Sequence, residues 1–383
     1  MAAITFFADV LGQEAVKAGL ERALEAGRLP HGVLFYGPKG TGKFAAAHSL
    51  AKVILCEKKS GCGDCAGCKK TAAMSHPDLL ITIPLPSAGS PPEKKKEEAR
   101  QAVYTDFLEK KRKNPYNPVW KENADFITVS DLQNLQERLS RKPMEADWRV
   151  AILVEADRLQ LPQGANKLLK TLEEPHKNTL IILIAERPKN LLPTILSRTQ
   201  KFFFPPLSSE RAAGFAAKEF GLSKKAAGEL AAMASGSIAK LYFLQKEEEL
   251  ERRQQAWEVL KLTLSGQEAP LFLALKMAAD TRKKEEVLSF LSWLEVFLWE
   301  FFCLSELKQP ERVASADLRP EFEKAALASK TSFPYLAALH EVGKTRVDLE
   351  RNVNFRLALF WLFARILRAK PSQLLKPPIT QVR

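Results

Sequence analysis

The 383-residue chain does not open with the basic-then-apolar stretch that directs export, since MAAITFFADVLGQE has neither part. It also holds no uninterrupted apolar run of membrane-spanning length. Its most apolar stretch, residues 290–304, carries Glu295 and Glu300, whereas a span needs about 20 apolar residues. Both absences predict a cytoplasmic protein with no membrane contact. No recognisable groove-reading helix is present, which argues against sequence-specific binding of DNA. Cysteine is scarce: there are five, and four fall within thirteen residues. Acidic residues are fewer than basic ones, 45 against 58. The resulting net charge of +13 suits work beside an acidic partner such as nucleic acid, although a charge run taken alone is only a solvated face.

What is present centres on residues 33–51, VLFYGPKGTGKFAAAHSLA. Val33, Leu34 and Phe35 read as the end of a buried strand, and the alanine-rich segment from Phe44 to Leu55 as a helix. Between them, Gly37-Pro38-Lys39-Gly40-Thr41-Gly42-Lys43 fits G-x-x-x-x-G-K. Strand, glycine loop and helix in that order form a phosphate-binding loop, because the loop N–H groups and the helix N-terminus converge on phosphate oxygens. Gly37, Gly40, Thr41, Gly42 and Lys43 are the candidate contacts. The motif ordinarily continues with a hydroxyl residue that ligates Mg²⁺; here that position is Phe44. A second metal contact is missing too. The run Val150–Val154, apolar throughout as a central parallel strand requires, leads into Glu155, and Val154 stands where nucleotide hydrolases carry an Asp. Any ATP or phosphate in the loop would be held without Mg²⁺.

Cys56, Cys62, Cys65 and Cys68, in CEKKSGCGDCAGC, include two successive C-x-x-C steps with glycines that permit tight turns. Four thiolates so spaced can close a tetrahedron around Zn²⁺, and with every position filled by protein the metal is structural. Disulfides or free thiols are the alternatives. Cys303, in an apolar helical stretch, reads as a core residue.

The predicted fold class is α/β, a parallel sheet with helices, followed by helical segments. A helix is expected within residues 6–28 and strands at 78–83, 126–129, 150–154, 180–185 and 201–204. A helix capped by Ser130 should run through Leu139, and another from Asn166 should end at Pro175. Residues 84–124, rich in proline and in clusters such as EKKKEEAR, read as a solvated surface insertion, partly disordered or loosely helical. The alanine-rich patterns of residues 208–245 and the helical patterns of 250–370 complete the chain, with Phe290, Trp293, Phe297, Trp299, Phe301 and Phe302 as core aromatics. Residues 371–383 read as extended.

Taken in order, Gly12-Gln13, the phosphate loop, the four cysteines, ANKLLKTLEEP (165–175), LPTILSRTQ (192–200) and RNVNFRLALFWLFARI (351–366) resemble the clamp-loader branch of the AAA+ ATPases, most closely its bacterial delta-prime subunits. The resemblance implies an AAA+ domain with a zinc module over residues 1–206, a small helical lid over 207–246, and an all-α collar that joins subunits over 247–383. It matches Ser197 and Arg198 to a Ser-Arg-Cys turn whose Arg reaches, as a finger, into a neighbouring subunit's nucleotide site, with Thr199 in place of Cys. Ala185-Glu186-Arg187 and Ala239 stand where active relatives keep nucleotide sensors. The implied function is a non-hydrolysing subunit working with gamma/tau motor and delta subunits to load a sliding clamp onto primed DNA. The alternative is an ATP-hydrolysing gamma/tau-type motor.

Overall fold

The computed structural model describes residues 6–86, 93–118, 126–160, 163–264, 284–310, 313, 315, 318–328, 334–350 and 353–368. The predicted tail 371–383 lies outside the described residues. The chain divides into two compact units, Met1–Tyr242 and Phe243–Arg383.

Five parallel strands form the centre of the first unit, in the order β2-β3-β4-β1-β5. They are β1 (Gly32–Tyr36), β2 (Leu79–Thr82), β3 (Arg149–Leu153), β4 (Thr179–Ala185) and β5 (Gln200–Phe203). The central strands are apolar without alternation because both faces are covered. Val33, Phe35, Val150, Ile152, Leu180 and Ile182 point to one face, where Leu20 of α1 (Glu14–Glu25) and Leu50 of α2 (Lys43–Ile54) cover them. Leu34, Ala151, Leu153, Ile181 and Leu183 point to the other. There they meet Leu132 of α5 (Val129–Ser140), Leu168 of α6 (Gln163–Glu173) and Ile195 of α7 (Pro193–Ser197). The period-two alternation of a strand is thus expressed as two cores.

β2 and β3 begin on a buried ion pair. Asp78, fully buried, accepts from the backbone N–H groups of Met144, Glu145 and Ala146 and pairs with Arg149 at 3.0 Å. Burial by itself would raise the Asp78 carboxyl; the three N–H donors and the guanidinium outweigh it and hold the pKa below the ordinary value.

Two local expectations are corrected. Residues 126–129 form no strand: Phe126 and Ile127 make only isolated bridges, to Leu85 and Leu159. Helix α5 already starts at Val129, and its cap is Thr128 rather than Ser130. Thr128 Oγ1 accepts from Asp131 N while Asp131 accepts from Thr128 N, a capping box that fixes the start two residues earlier. The charged insertion is also more ordered than read. Glu93–Lys113 forms the 21-residue helix α4, following the short α3 (Ala66–Ala72), and its Phe107 is buried in the core. Glu97, Glu98, Glu109, Arg112 and Lys113 of α4 are exposed, whereas Lys111 is buried with Phe107, and Tyr104, Phe107 and Leu108 dock the helix on the core.

After β5, α8 (Ser209–Phe220), α9 (Lys224–Ala234) and α10 (Ile238–Leu244) follow. The second unit is helical: α11 (Glu247–Leu264), α12 (Lys284–Ser305), α13 (Arg319–Ala328), α14 (Tyr335–Glu350) and α15 (Phe355–Arg368). Its core is aromatic, with Trp257 against Phe301 and Phe322, ring centroids 5.8 and 4.8 Å apart. Phe290, Trp293, Phe297 and Phe301 are buried as expected, and so is Cys303, but Trp299 is 43% exposed. Helix α12 is longer than the apolar stretch in the sequence suggested. By length and composition its residues Glu286–Ser305 could cross a membrane, yet most of that stretch is buried within the protein.

Candidate functional site: a phosphate loop, a thiol cluster and an exposed arginine

The phosphate loop leaves the C-terminal end of β1 and enters α2 through Gly42, whose φ of 88° lies in the left-handed region. Gly40 is also left-handed, and a Cβ there would lie 2.2 Å from Ser237 Oγ. The absent side chain lets the N-terminus of α10 press onto the loop: Ser237 Oγ donates to Lys39 O at 2.9 Å, and Ile238 N to Gly40 O at 2.9 Å. Gln13 pins the other side, its Nε2 donating to Thr41 O and Pro205 O at 3.0 and 2.9 Å. Thr41 Oγ1 donates to Pro38 O at 2.9 Å. Lys43 is buried and donates to Gly37 O and Pro38 O at 2.6 and 2.5 Å. Burial pulls its ammonium down to about 8, against the opposing pull of Glu186, Asp157 and Glu155.

Phe44 and Val154, the two positions expected to lack a magnesium ligand, are both buried. Phe44 turns inward, 5.5 Å from the Phe107 ring edge-on and 4.8 Å beneath the Lys111 ammonium. Val154 is buried at the end of β3, and Glu155, left-handed at φ 53°, pairs with Arg158 at 3.2 Å. Ala239 is buried where α10 meets the loop, and Glu186 lines the cleft. The cleft has a volume of about 140 Å³, and its walls include Lys39, Lys111 and Tyr116. Lys111 and Tyr116 come from the insertion, so this part of it is built into the cleft wall and is not a solvated loop. Flanking prolines in NPYNP (114–118) were the available sign of an ordered turn. Burial pushes the Tyr116 phenol up to about 12, so it stays protonated.

The four predicted cysteines converge. Their sulfurs all lie within 4.8 Å of one another, with Cys56–Cys62, Cys56–Cys65 and Cys62–Cys68 at 3.7, 3.8 and 4.0 Å. Sulfurs at about 2.3 Å from a tetrahedral zinc are separated by about 3.8 Å, so the cluster can hold a metal such as zinc. Cys65 also caps α3 by accepting from Cys68 N. Burial would raise the Cys56 thiol, but the N–H groups of Cys62, Ser60 and Lys58 outweigh it and bring it to about 5, the thiolate form that a metal ligand needs.

Ser197 and Arg198 lie elsewhere. They close α7 immediately before β5, which runs parallel to β1, so they sit at the N-terminal edge of the sheet. The phosphate loop follows the opposite edge. At about 3.3 Å per residue, the length of β1 alone separates the two by about 13 Å. Both side chains are exposed, and Arg198 pairs with Glu173 at 2.8 Å and leans on Thr194 O at 3.4 Å. Glu173 ends α6, so the two stretches ANKLLKTLEEP and LPTILSRTQ meet at this ion pair. Thr199 is buried and donates to Ile195 O at 3.0 Å.

One parallel five-stranded sheet carries this loop and the cysteine cluster, with α8, α9 and α10 following its last strand. The family described as "DNA polymerase III, delta subunit" matches residues 12–208. The chain belongs to this DNA polymerase III family. Its relatives include the DNA polymerase III subunit delta' of Bacillus subtilis strain 168, 34% identical over 197 residues, 51% of this chain and 48% of that one. The subunit delta' of Pseudomonas aeruginosa is 29% identical over 248 residues, 64% of each chain. The subunit gamma/tau of Mycobacterium tuberculosis H37Rv is 31% identical over 201 residues, 52% of this chain and 28% of that one. The match thus spans about half the length of the Bacillus relative. Within this DNA polymerase III family member, the matched region holds the loop, the thiol cluster and Arg198, and stops at the start of the lid.

Proposed function

We propose that this chain is a delta-prime-type clamp-loader subunit that turns over no ATP itself and supplies Arg198 to the nucleotide site of a neighbouring subunit. The observation that carries this reading is the position of Arg198, exposed and at the sheet edge opposite its own phosphate loop. A planar guanidinium presented on an outer edge can stabilise a transferring phosphoryl group only on another molecule. Ser197 shapes the turn that presents it. The chain's own loop keeps Lys43 but surrounds it with Phe44, Val154 and Ala239, so any phosphate there is held without Mg²⁺ chemistry. Gamma/tau and delta subunits are the partners on this reading, with sliding clamp and primed DNA met through the assembly in the bacterial cytoplasm. The decisive experiment assembles the chain with those subunits and compares DNA-stimulated ATP hydrolysis for Arg198 and Arg198→Ala. An unchanged rate refutes the finger role.

The gamma/tau similarity supports a second reading, a motor subunit. It requires steady-state hydrolysis by the isolated chain that disappears with Lys43→Ala; the first reading expects none.

The thiol cluster on this proposal holds structural Zn²⁺ through Cys56, Cys62, Cys65 and Cys68. Stoichiometric zinc in the purified chain, and a lowered melting temperature after chelation, are the expected results.

A further inference from the structure

We propose that the turn of residues 114–118 occupies the nucleoside side of the phosphate-loop cleft and fastens the lid to the sheet domain in the way a bound nucleotide otherwise would. The phosphates of a ligand in such a loop lie against the loop N–H groups and the start of α2. The rest of a nucleotide would on this proposal extend past Gly42, into the space between the segment before α1 and α8. Tyr116 fills that exit. A Cβ built on Gly42 would lie 3.0 Å from its ring. Its hydroxyl accepts from Leu11 N at 2.6 Å and donates to Asp9 O at 3.4 Å, both ahead of α1. On the lid side its ring lies 5.7 Å from that of Phe215 in α8.

The neighbouring residue contacts extend the same bridge. Asn114 Nδ2 donates to Glu219 Oε1 and to Tyr242 Oη, each at 2.9 Å, and Tyr242 donates to Glu219 at 2.5 Å. Lys111 closes the turn by donating to Pro115 O and Asn117 O at 3.0 and 2.8 Å, which also fixes its charge over Phe44. One short segment therefore hydrogen-bonds the strand domain, the lid and itself across the cleft mouth. The space left, about 140 Å³, compares with about 300–1,000 Å³ for a pocket that takes an organic ligand. A nucleotide can enter only when the turn is displaced, so its affinity is reduced by the fraction of molecules in which the turn is open.

This inference rests on the phosphate-loop reading and is independent of Arg198 and of subunit type, so either can fail without the other. The test is calorimetric titration of the full chain with ATP in EDTA, for the natural protein, Tyr116→Ala and Asn114→Ala. Inorganic triphosphate, which has no nucleoside, is titrated in parallel. We expect ATP to bind Tyr116→Ala at least tenfold more tightly than the natural protein, Asn114→Ala to shift in the same direction, and triphosphate to change by less than about threefold. Equal ATP affinity in natural and substituted chains, including no binding by either, overturns the proposal. So does an equal gain for triphosphate, which would place the turn over the phosphates. If Tyr116→Ala does not fold, Asn114→Ala decides the same comparison, with hydrogen exchange of residues 209–220 as a second readout: faster exchange that ATP reverses in the variant, and no ATP effect in the natural protein.

Discussion

The two ends of the central sheet carry opposite solutions to the placement of a cation. At the C-terminal edge Lys43 is buried, bonded to its own loop carbonyls and roofed by Phe107 and Tyr116. At the N-terminal edge Arg198 is exposed and held by a single carboxylate at 2.8 Å. A buried ammonium bonded to its own loop carbonyls has fewer donors left for a partner subunit, whereas an exposed guanidinium keeps donors available for one. One fold can thus conceal the cation of its own cleft while offering another outward.

The largest effect that separates the two edges is catalytic. In the assembled complex Arg198→Ala should lower DNA-stimulated ATP hydrolysis by about 10³-fold or more, while Lys43→Ala should leave it within about twofold. Equal losses would erase the distinction between the edges. Next in size is the structural anchor at the exposed edge. Asp78→Ala strands the buried Arg149 and should cost about 3–5 kcal/mol in denaturant unfolding, with the loop geometry unaffected. Because the Asp78 pKa is depressed in the folded state, the stability it contributes is present above the ordinary carboxylate pKa and is lost as pH falls through its lowered folded value.

A smaller effect tests the concealed cation. With the Lys43 pKa near 8 folded and 10.5 unfolded, the unfolded chain binds one more proton between those values, so stability should rise with pH across that window. The gain is at most about 3 kcal/mol, and Lys43→Met should remove it; a rise of equal size in the variant would assign it to other groups. The smallest effect is Glu173→Gln. This pair is well exposed on both sides, so the change should alter stability by less than about 1 kcal/mol. Its informative readout is the hydrolysis rate of the assembly: no change there would make Glu173 a resting place for Arg198 and not its orienting partner.

Much of this was legible along the chain. The central strands announced themselves by apolar runs, because only a strand covered on both faces lacks polar positions, and the paired C-x-x-C steps announced a thiol cluster that closes to within 4.8 Å. The failures were of another kind. Residues 93–113 looked like solvated charge because a helix that docks through Tyr104, Phe107 and Lys111 needs few apolar positions. Thr128 escaped notice as a cap because Ser130 offered the same chemistry two residues later, and only the reciprocal bond with Asp131 distinguishes them.

Local order, the glycine loop, the apolar residues Phe44 and Val154 beside it and the clustering of the four thiols were determined by the sequence itself, since each depends on residues near one another along the chain. The meeting of Tyr116 with Leu11, 105 residues apart, the pairing of Arg198 with Glu173, and the placement of Arg198 at the far edge from Lys43 were decided only by tertiary structure. Those relations follow from which strand lies beside which and in which direction it runs, and no periodicity in the chain encodes that.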